Sequence, residues 1–503
     1  MTDIDFDLAV VGGGINGVGI AADAAGRGLN VVLLEAADLA SGTSSASSKL
    51  AHGGLRYLEQ GAIRLVREAL QERDSLLTRA PHLCTPLRFC LPLDAAQRPA
   101  WQLRAGLWLY DHLASPSPLA GASAVTLDGN SPLQPQFQDA FEYSDGWVDD
   151  ARLVIAVAQQ AMTHGAIIRT RCPVVAARRL AHHWQLQLAP TQGGPDTLSC
   201  RALVNATGPA ASRFLASAIG IAQPPPLRQV RGSHIVVRRL TDDERAFILQ
   251  ASDQRVIFVL PYGQFHLVGT TEVEQHYDGS PPQASDDEVA YLCREVSRWW
   301  RHPLQPSAVV QRFAGIRPLA DEKSGNPRTA SRDYRLLFDH PDHQAPLLSV
   351  YGGKLTTYRA LAERAINRLA PLFSHIGPAW TADQPLPGGE ISDLSWLRHL
   401  ANQRAPYLGP ASIERLVRSY GSQLALWLNQ GDDWQALGGR IAADVSRAEL
   451  QYLIDHEWLR SLDDLLWRRS KLGLTTTSTE QQQLGTALAQ LLMPQQQAPA
   501  LCW

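Results

Sequence analysis

Three glycines near the N-terminus have the type and spacing to do chemistry. Gly12, Gly14 and Gly17 form G-x-G-x-x-G within a chain of 503 residues. In that order the first permits a tight turn, the second lets a pyrophosphate reach the backbone, and the third lets a helix pack closely on a strand. The free N–H groups and partial positive charge of the helix start then face the diphosphate. Glu35, eighteen residues after Gly17, can accept hydrogen bonds from an adenosine ribose. Together these residues point to dinucleotide binding. The polar, small-residue stretch 36–54, AADLASGTSSASSKLAHGG, suits backbone-rich contact with the same ligand.

The elements that must position these groups follow in the required order. Phe6–Val11 is an apolar run that reads as a buried parallel strand, helical spacing covers 15–25, and a second strand over 30–34 ends at Glu35. Further on, an amphipathic helix is expected over 63–79, a helix over 148–162, and strands over 166–171 and 201–206, the last ending at Thr207-Gly208. Strand-like runs at 232–237, 255–260 and 264–269 suggest a mainly antiparallel sheet. A last buried strand at 347–350 leads into Gly352-Gly353-Lys354-Leu355-Thr356-Thr357 and a helix to about 372. Residues 386–389, LPGG, read as a linker. Beyond it the pattern is helical with no strand signal, most clearly over 447–469, and the Gln-rich end is expected to be weakly ordered.

Composition narrows the function. A net charge of −3 provides no global basic field for nucleic acid. The six cysteines are scattered without a C-x-x-C pair, which argues against disulfide frameworks, zinc and iron–sulfur clusters and fits a reducing compartment. No metal site is expected. The acidic start, MTDIDFD, has no signal-peptide pattern, and no apolar run approaches the ~20 residues a spanning helix needs. A cytoplasmic protein is expected, with peripheral membrane contact left open.

The stretches GGGINGVGIAADAAGRG, TSSASSKLAHGGLRYLE, YDHL, EYSDGWVDDARLV, LVNATGPA, GSHIVV, GIRPL, SRDY, YGGKLTTYR, GPAWT, LPGG, DHEW and LWRR together resemble the bacterial aerobic, respiratory FAD-dependent glycerol-3-phosphate dehydrogenases. The resemblance implies an α/β (α+β) fold: an FAD-binding Rossmann-like domain of the D-amino-acid-oxidase/glycine-oxidase type, an antiparallel-sheet substrate (cap) domain and a C-terminal helical domain. The expected division is 1–385 for the oxidoreductase part and 386–503 for the helical domain. FAD-binding parts fall roughly at 1–75, 150–215 and 340–385, and cap parts roughly at 76–149 and 216–339. The resemblance favours FAD over NAD, which the fingerprint alone does not separate. Ser41 to Gly54, Thr207-Gly208 and the helix start at Gly353 to Thr356 are three contact loops that a plain NAD dehydrogenase does not need.

On that resemblance the substrate is glycerol 3-phosphate, a dianion carrying a secondary alcohol. Arg56, Arg317, Arg332 and Lys354 each lie in a family-like motif, and the arginine fork matches phosphate oxygens. Tyr57 adds a hydroxyl. Arg56, Tyr57 and Arg332 are assigned to substrate binding, and His234, Arg317 and Lys354 to catalysis. His234 is favoured as the base over His52, with polarisation by Arg317 and Lys354 as a third option. Cofactor contacts are expected from Gly12, Gly14, Gly17, Glu35, Ser45, Ser48, Lys49, His52, Gly53, Gly54, Thr207, Gly208, Gly353, Lys354, Leu355 and Thr356. The implied reaction removes the C2 hydroxyl proton as hydride leaves C2 for flavin N5, giving dihydroxyacetone phosphate.

The resemblance also implies a membrane quinone as acceptor and attachment to the inner face of the cytoplasmic membrane. Residues 99–113 and Trp299-Trp300-Arg301 are candidate contact segments. A homodimer is an open arrangement. The competing readings are a glycerol-3-phosphate oxidase using O₂, an amine- or amino-acid-oxidising flavoenzyme of the same fold, and a flavin-binding sensor or scaffold without turnover.

Overall fold

The computed structural model describes residues 4–59, 61–94, 99–114, 116–189, 196–319, 333–391 and 393–497. Strand β1 (Phe6–Val11), helix α1 (Ile15–Gly26) and strand β2 (Val31–Leu34) form the expected opening unit. β1 is central in its sheet, pairing in parallel with β2 on one side and with β3 (Thr197–Asn205) on the other. The main path is Arg335–Asp339, Leu347–Tyr351, β3, β1, β2, Ile167–Arg169, and the antiparallel pair Val174–Arg179/Trp184–Leu188 joins it through β3. Alternate side chains of β1 enter two separate cores. Leu8 and Val10 pack towards α1 and the helices Asp150–Thr163 and Tyr358–Leu369, while Ala9 and Val11 pack towards Trp184, Phe214 and Tyr351. Burial on both faces is why the strand reads as a continuous apolar run.

A second sheet stands over the first. Its path runs Val273–Glu274, Arg228–Arg238, Phe265–Gly269, Val256–Tyr262, Ala246–Gln250, Cys84–Pro92, Asp139–Val148, Leu50–Ala51. All these pairs are antiparallel except Ala246–Gln250 with Cys84–Pro92. Val309–Leu319 adds to the other edge of Arg228–Arg238, and their register sets His234 opposite Phe313 and Val230 opposite Arg317. The Cys84–Pro92/Asp139–Val148 pair was not visible in the sequence, because proline, arginine and aromatics interrupt its alternation.

Four helices, Leu394–Arg404, Pro410–Tyr420, Arg447–His456 and Ser478–Gln497, build the C-terminal region around Leu416, Leu453 and Leu484. Here the structure departs from the sequence reading at four points. A short β pair, Arg440–Ala442 with Val445–Ser446, is closed by Ala443 and Asp444, both at positive φ, as a tight two-residue turn requires. The expected helix over 447–469 stops at His456, since Trp458 adopts φ +54, and a π-turn resumes at Asp464–Arg469. The LPGG stretch is no loose linker: Leu386 is buried and its N–H donates to Arg79 O at 2.9 Å. The Gln-rich residues 481–483 lie within the last helix. Among the described residues no helix is long and apolar enough to cross a membrane.

Candidate active site

The turn from β1 into α1 is made by atoms that leave no room for side chains. Gly12 has φ +114, and a Cβ placed there would meet Ala206 O at 2.5 Å. A Cβ on Gly17 would lie 1.9 Å from Gly12 O, so the third glycine lets α1 press on the loop it leaves. Ser44 Oγ accepts the Ile15 N–H at 3.0 Å, and Asn16 Nδ2 donates to Gly352 O at 3.1 Å. The latter contact ties the first turn of α1 to the Gly352-Gly353 bend, where both glycines have positive φ.

Glu35 does more than was expected of a ribose acceptor. Its carboxylate accepts from Gly13 N at 2.5 Å and from Ala37 N at 2.7 Å, bracing the fingerprint from the end of β2. The carboxylate keeps a lone pair for a hydroxyl. Burial pushes its pKa up, the backbone N–H bonds from Ala37, Gly13 and Ala36 oppose this, and the nearby Asp38 charge adds to the rise.

A cavity of about 1140 Å³ runs from this loop to the second sheet. Gly12, Gly14, Glu35, Ser45, Ser48, Lys49, His52, Gly54, Thr207, Gly208, Gly353, Lys354, Leu355 and Thr356 line it, and so do Arg56, Tyr57, His234 and Arg317. The chain from 11 to 356 is thereby gathered into one space. Gly17 works from behind the wall, and Gly53 does too. A Cβ on Gly53 would meet Leu70 at 2.7 Å and the Tyr110 hydroxyl at 2.8 Å. Gly53 packs closely at this point, and its N–H donates to Tyr110 OH at 2.9 Å. Arg332 falls outside the described residues.

Several side chains are engaged within the protein. The Lys49 ammonium is buried against Asp150 at 2.7 Å and donates to Ser45 O at 2.6 Å. That pair fastens loop 43–51 to the start of the Asp150–Thr163 helix. Ser48 Oγ stands 2.9 Å from His234 Nε2. Lys354 Nζ lies over the Tyr57 ring, 3.9 Å from its centroid. Arg317 donates to Thr270 Oγ1 at 2.9 Å and stands 3.6 Å from Glu272. His52 donates its backbone N–H to Thr356 Oγ1 at 3.2 Å, joining the two loops that carry Arg56 and Lys354. Ser44, Asn16, Thr270 and Glu272 were missed in the sequence. Ser44 and Asn16 lie in quoted motifs, while nothing local marks Thr270 and Glu272.

His234 is 1% exposed and stacks on Phe313 with centroids 5.1 Å apart. Burial, then the charges of Arg317 and Lys49, hold its pKa well below the usual histidine value. The ring is therefore neutral, the form that can take a proton.

A glycine cradle that excludes side chains, a bracing acid at the end of β2, and a cavity continuing under an antiparallel sheet fit a flavin dinucleotide. The fold and site define a flavin-dependent oxidoreductase. Residues 7–359 match the FAD dependent oxidoreductase family, and the chain belongs to it. Residues 379–495 match the C-terminal domain of alpha-glycerophosphate oxidase. Across 96% of its length the chain is 46% identical to a glycerol-3-phosphate dehydrogenase of Pseudomonas aeruginosa, covering 95% of it. It is 44% identical to the aerobic glycerol-3-phosphate dehydrogenase of Escherichia coli (96% and 97% covered) and 42% identical to a D-erythritol 1-phosphate dehydrogenase of Brucella abortus (94% and 96% covered). The fold matches a glycerol-3-phosphate dehydrogenase from Bacillus halodurans complexed with FAD, at TM-score 0.70 and 23% identity, over 100% of this chain and 97% of that one.

Proposed function

We propose that the chain oxidises sn-glycerol 3-phosphate to dihydroxyacetone phosphate and passes the electrons to a membrane quinone. One observation carries the reading: Arg56, Arg317 and Lys354, far apart in sequence, line the same cavity as Gly12 and Gly14 of the fingerprint. A phosphorylated polyol needs such cations, whereas an amino acid's carboxylate needs one arginine. The near-full-length likeness to enzymes named for glycerol 3-phosphate supports the same substrate.

When bound, FAD accepts the C2 hydride. Arg56 holds the phosphate together with Arg317, whose role thereby moves from the catalytic one expected above, and Arg332 is proposed beside them on its SRDY motif alone. Tyr57 adds a hydroxyl. Lys354 faces the C2 oxygen as it becomes a carbonyl. His234 receives the hydroxyl proton, held in place by Ser48. The resulting imidazolium would stand near Arg317 and Lys49, so the phosphate dianion must arrive first to offset their charge. Clamping the substrate at both ends supplies orientation, and fixed charges supply stabilisation of the developing oxygen.

Quinone as acceptor and attachment to the inner face of the cytoplasmic membrane belong to the same proposal. Support comes from the Ala100–His112 helix. Its Leu107 and Tyr110 are buried, while Trp101 and Trp108 are 69% and 62% exposed. Paired exposed tryptophans on one helix suit a lipid interface. The other candidate segment is corrected: Trp299 and Trp300 are each 2% exposed and pack on Phe137 and Phe247.

The test is anaerobic. Glycerol 3-phosphate should bleach the bound flavin at 450 nm, while D-erythritol 1-phosphate and glycine should do so far more slowly. Preferential bleaching by either of those two compounds would overturn the substrate reading.

A further inference from the structure

Glu35 has a second carboxylate for a neighbour. Asp38 follows three residues later on the same loop and is 2% exposed. Its partners come from the far end of the chain. Arg468 Nε stands 2.6 Å from Asp38 Oδ2, and the Arg469 guanidinium reaches both Asp38 oxygens at 2.8 and 2.9 Å. Both arginines belong to the Asp464–Arg469 turn of the C-terminal region. The same segment sends Trp467, Arg468 and Lys471 into the wall of the cavity that Glu35 lines. It is fastened there by Arg171 to Asp464 at 2.6 Å and by Lys471 to Asp149 at 3.1 Å.

Two carboxylates three residues apart on one loop repel each other, and the cheapest relief is protonation of one. Asp38 does push the Glu35 pKa up, in the same direction as burial. A ribose needs Glu35 as an anion, because only the carboxylate accepts through every lone pair. A cation on Asp38 reduces the conflict.

We propose that Arg468 is a positioning residue for the adenosine half of FAD: reaching in from the C-terminal region, it neutralises Asp38 and so keeps Glu35 an anionic acceptor for the ribose hydroxyls. The helical region is on this account part of the cofactor site. The proposal rests on FAD as cofactor and is independent of the substrate. Arg469 shares the task, but it is fully buried and also donates to Glu457 O, so its removal endangers the fold. Arg468 is the residue to test.

Purified holoenzyme is diluted without substrate, and released FAD is read by the recovery of flavin fluorescence. Arg468→Gln should raise the FAD dissociation constant about tenfold. Arg468→Lys should stay within about threefold of the parent, because the charge is kept. Asp38→Asn/Arg468→Gln should also return to within about threefold, because the charge that needed an answer is gone. Asp38→Asn alone should bind FAD at least as tightly as the parent. Unchanged binding in Arg468→Gln overturns the inference. So does a double variant no better than Arg468→Gln, which makes the arginine a direct contact or a prop for the fold. Tenfold weaker binding in Asp38→Asn overturns it as well, even if Arg468→Gln cannot be made. A parent protein that holds no FAD would instead undo the family reading.

Discussion

Replacing His234 by Gln separates a base from a buried scaffold residue. Glutamine keeps a polar group near Ser48 and similar bulk against Phe313, so packing is largely preserved. It cannot accept the substrate proton, and loss of a general base lowers turnover by a factor of about 10²–10⁴. The surroundings set a second, sharper expectation. Burial, Arg317 and Lys49 hold the ring's pKa below its ordinary value of 6.5. A phosphate dianion on Arg317 cancels part of that. The acid limb of kcat/KM, which reports free enzyme, must then lie below pH 6.5, and the limb of kcat, which reports the complex, must lie higher. Both are read from steady-state rates between pH 4.5 and 8 with an artificial electron acceptor, on enzyme checked for flavin content. Turnover of His234→Gln within about fivefold of the parent, or an acid limb that persists unmoved in the variant, would refute the reasoning and return the proton to His52 or to no dedicated base.

Other outcomes are equally open to measurement. Gly17→Ala places a Cβ 1.9 Å from Gly12 O, a backbone clash no rotamer relieves, so the purified protein should be colourless or poorly folded; a normal flavin spectrum contradicts the packing argument. Arg332→Ala should mainly raise the KM for glycerol 3-phosphate, and an unchanged KM removes it from the phosphate clamp. Trp101→Ser/Trp108→Ser should shift the enzyme from the membrane pellet to the supernatant, whereas the parent should leave the membrane with detergent and not with salt; complete release of the parent by salt refutes an apolar contact. Acid should destabilise the fold from about pH 6.5 downward. His82 and His266 are buried with pKa values lowered to about 3 and about 4, so the unfolded chain binds their protons first. Between pH 7 and 5 each costs about 2 kcal/mol of stability. Asp23 and Asp145, raised to about 6, oppose this by binding protons in the folded state, at about 1.4 kcal/mol each over the same interval. The denaturant midpoint should therefore fall from pH 7 to 5, and His82→Gln should flatten the fall; a midpoint that rises refutes the assignment.

What could be read from the sequence was what neighbours in the chain decide. The fingerprint is legible because its constraints are local. Gly12 and Gly17 collide with each other's surroundings within one turn, and Glu35 braces Gly13 across a single strand–helix–strand unit. The family resemblance carried the cofactor and the substrate class further than spacing could. Burial was the part that stayed hidden. Trp299 and Trp300 look as interfacial as Trp101 and Trp108, yet the first pair lies inside the protein and the second on its surface. Lys49 and Ser48 sit in a cofactor-like motif, yet their polar atoms meet Asp150 and His234. The helix expected over 447–469 is interrupted by one left-handed residue.

By itself the sequence determined a dinucleotide turn, an oxidoreductase class and a set of cations without positions. Only the tertiary structure decided that Arg56, Arg317, Lys354 and His234 line one cavity, and that arginines near the C-terminus pair with Asp38 on the loop of Glu35. The physical reason is that a charge's partner, and the water it loses, depend on which strands pair and which faces close. Those choices are made between residues hundreds apart, where no local pattern records them.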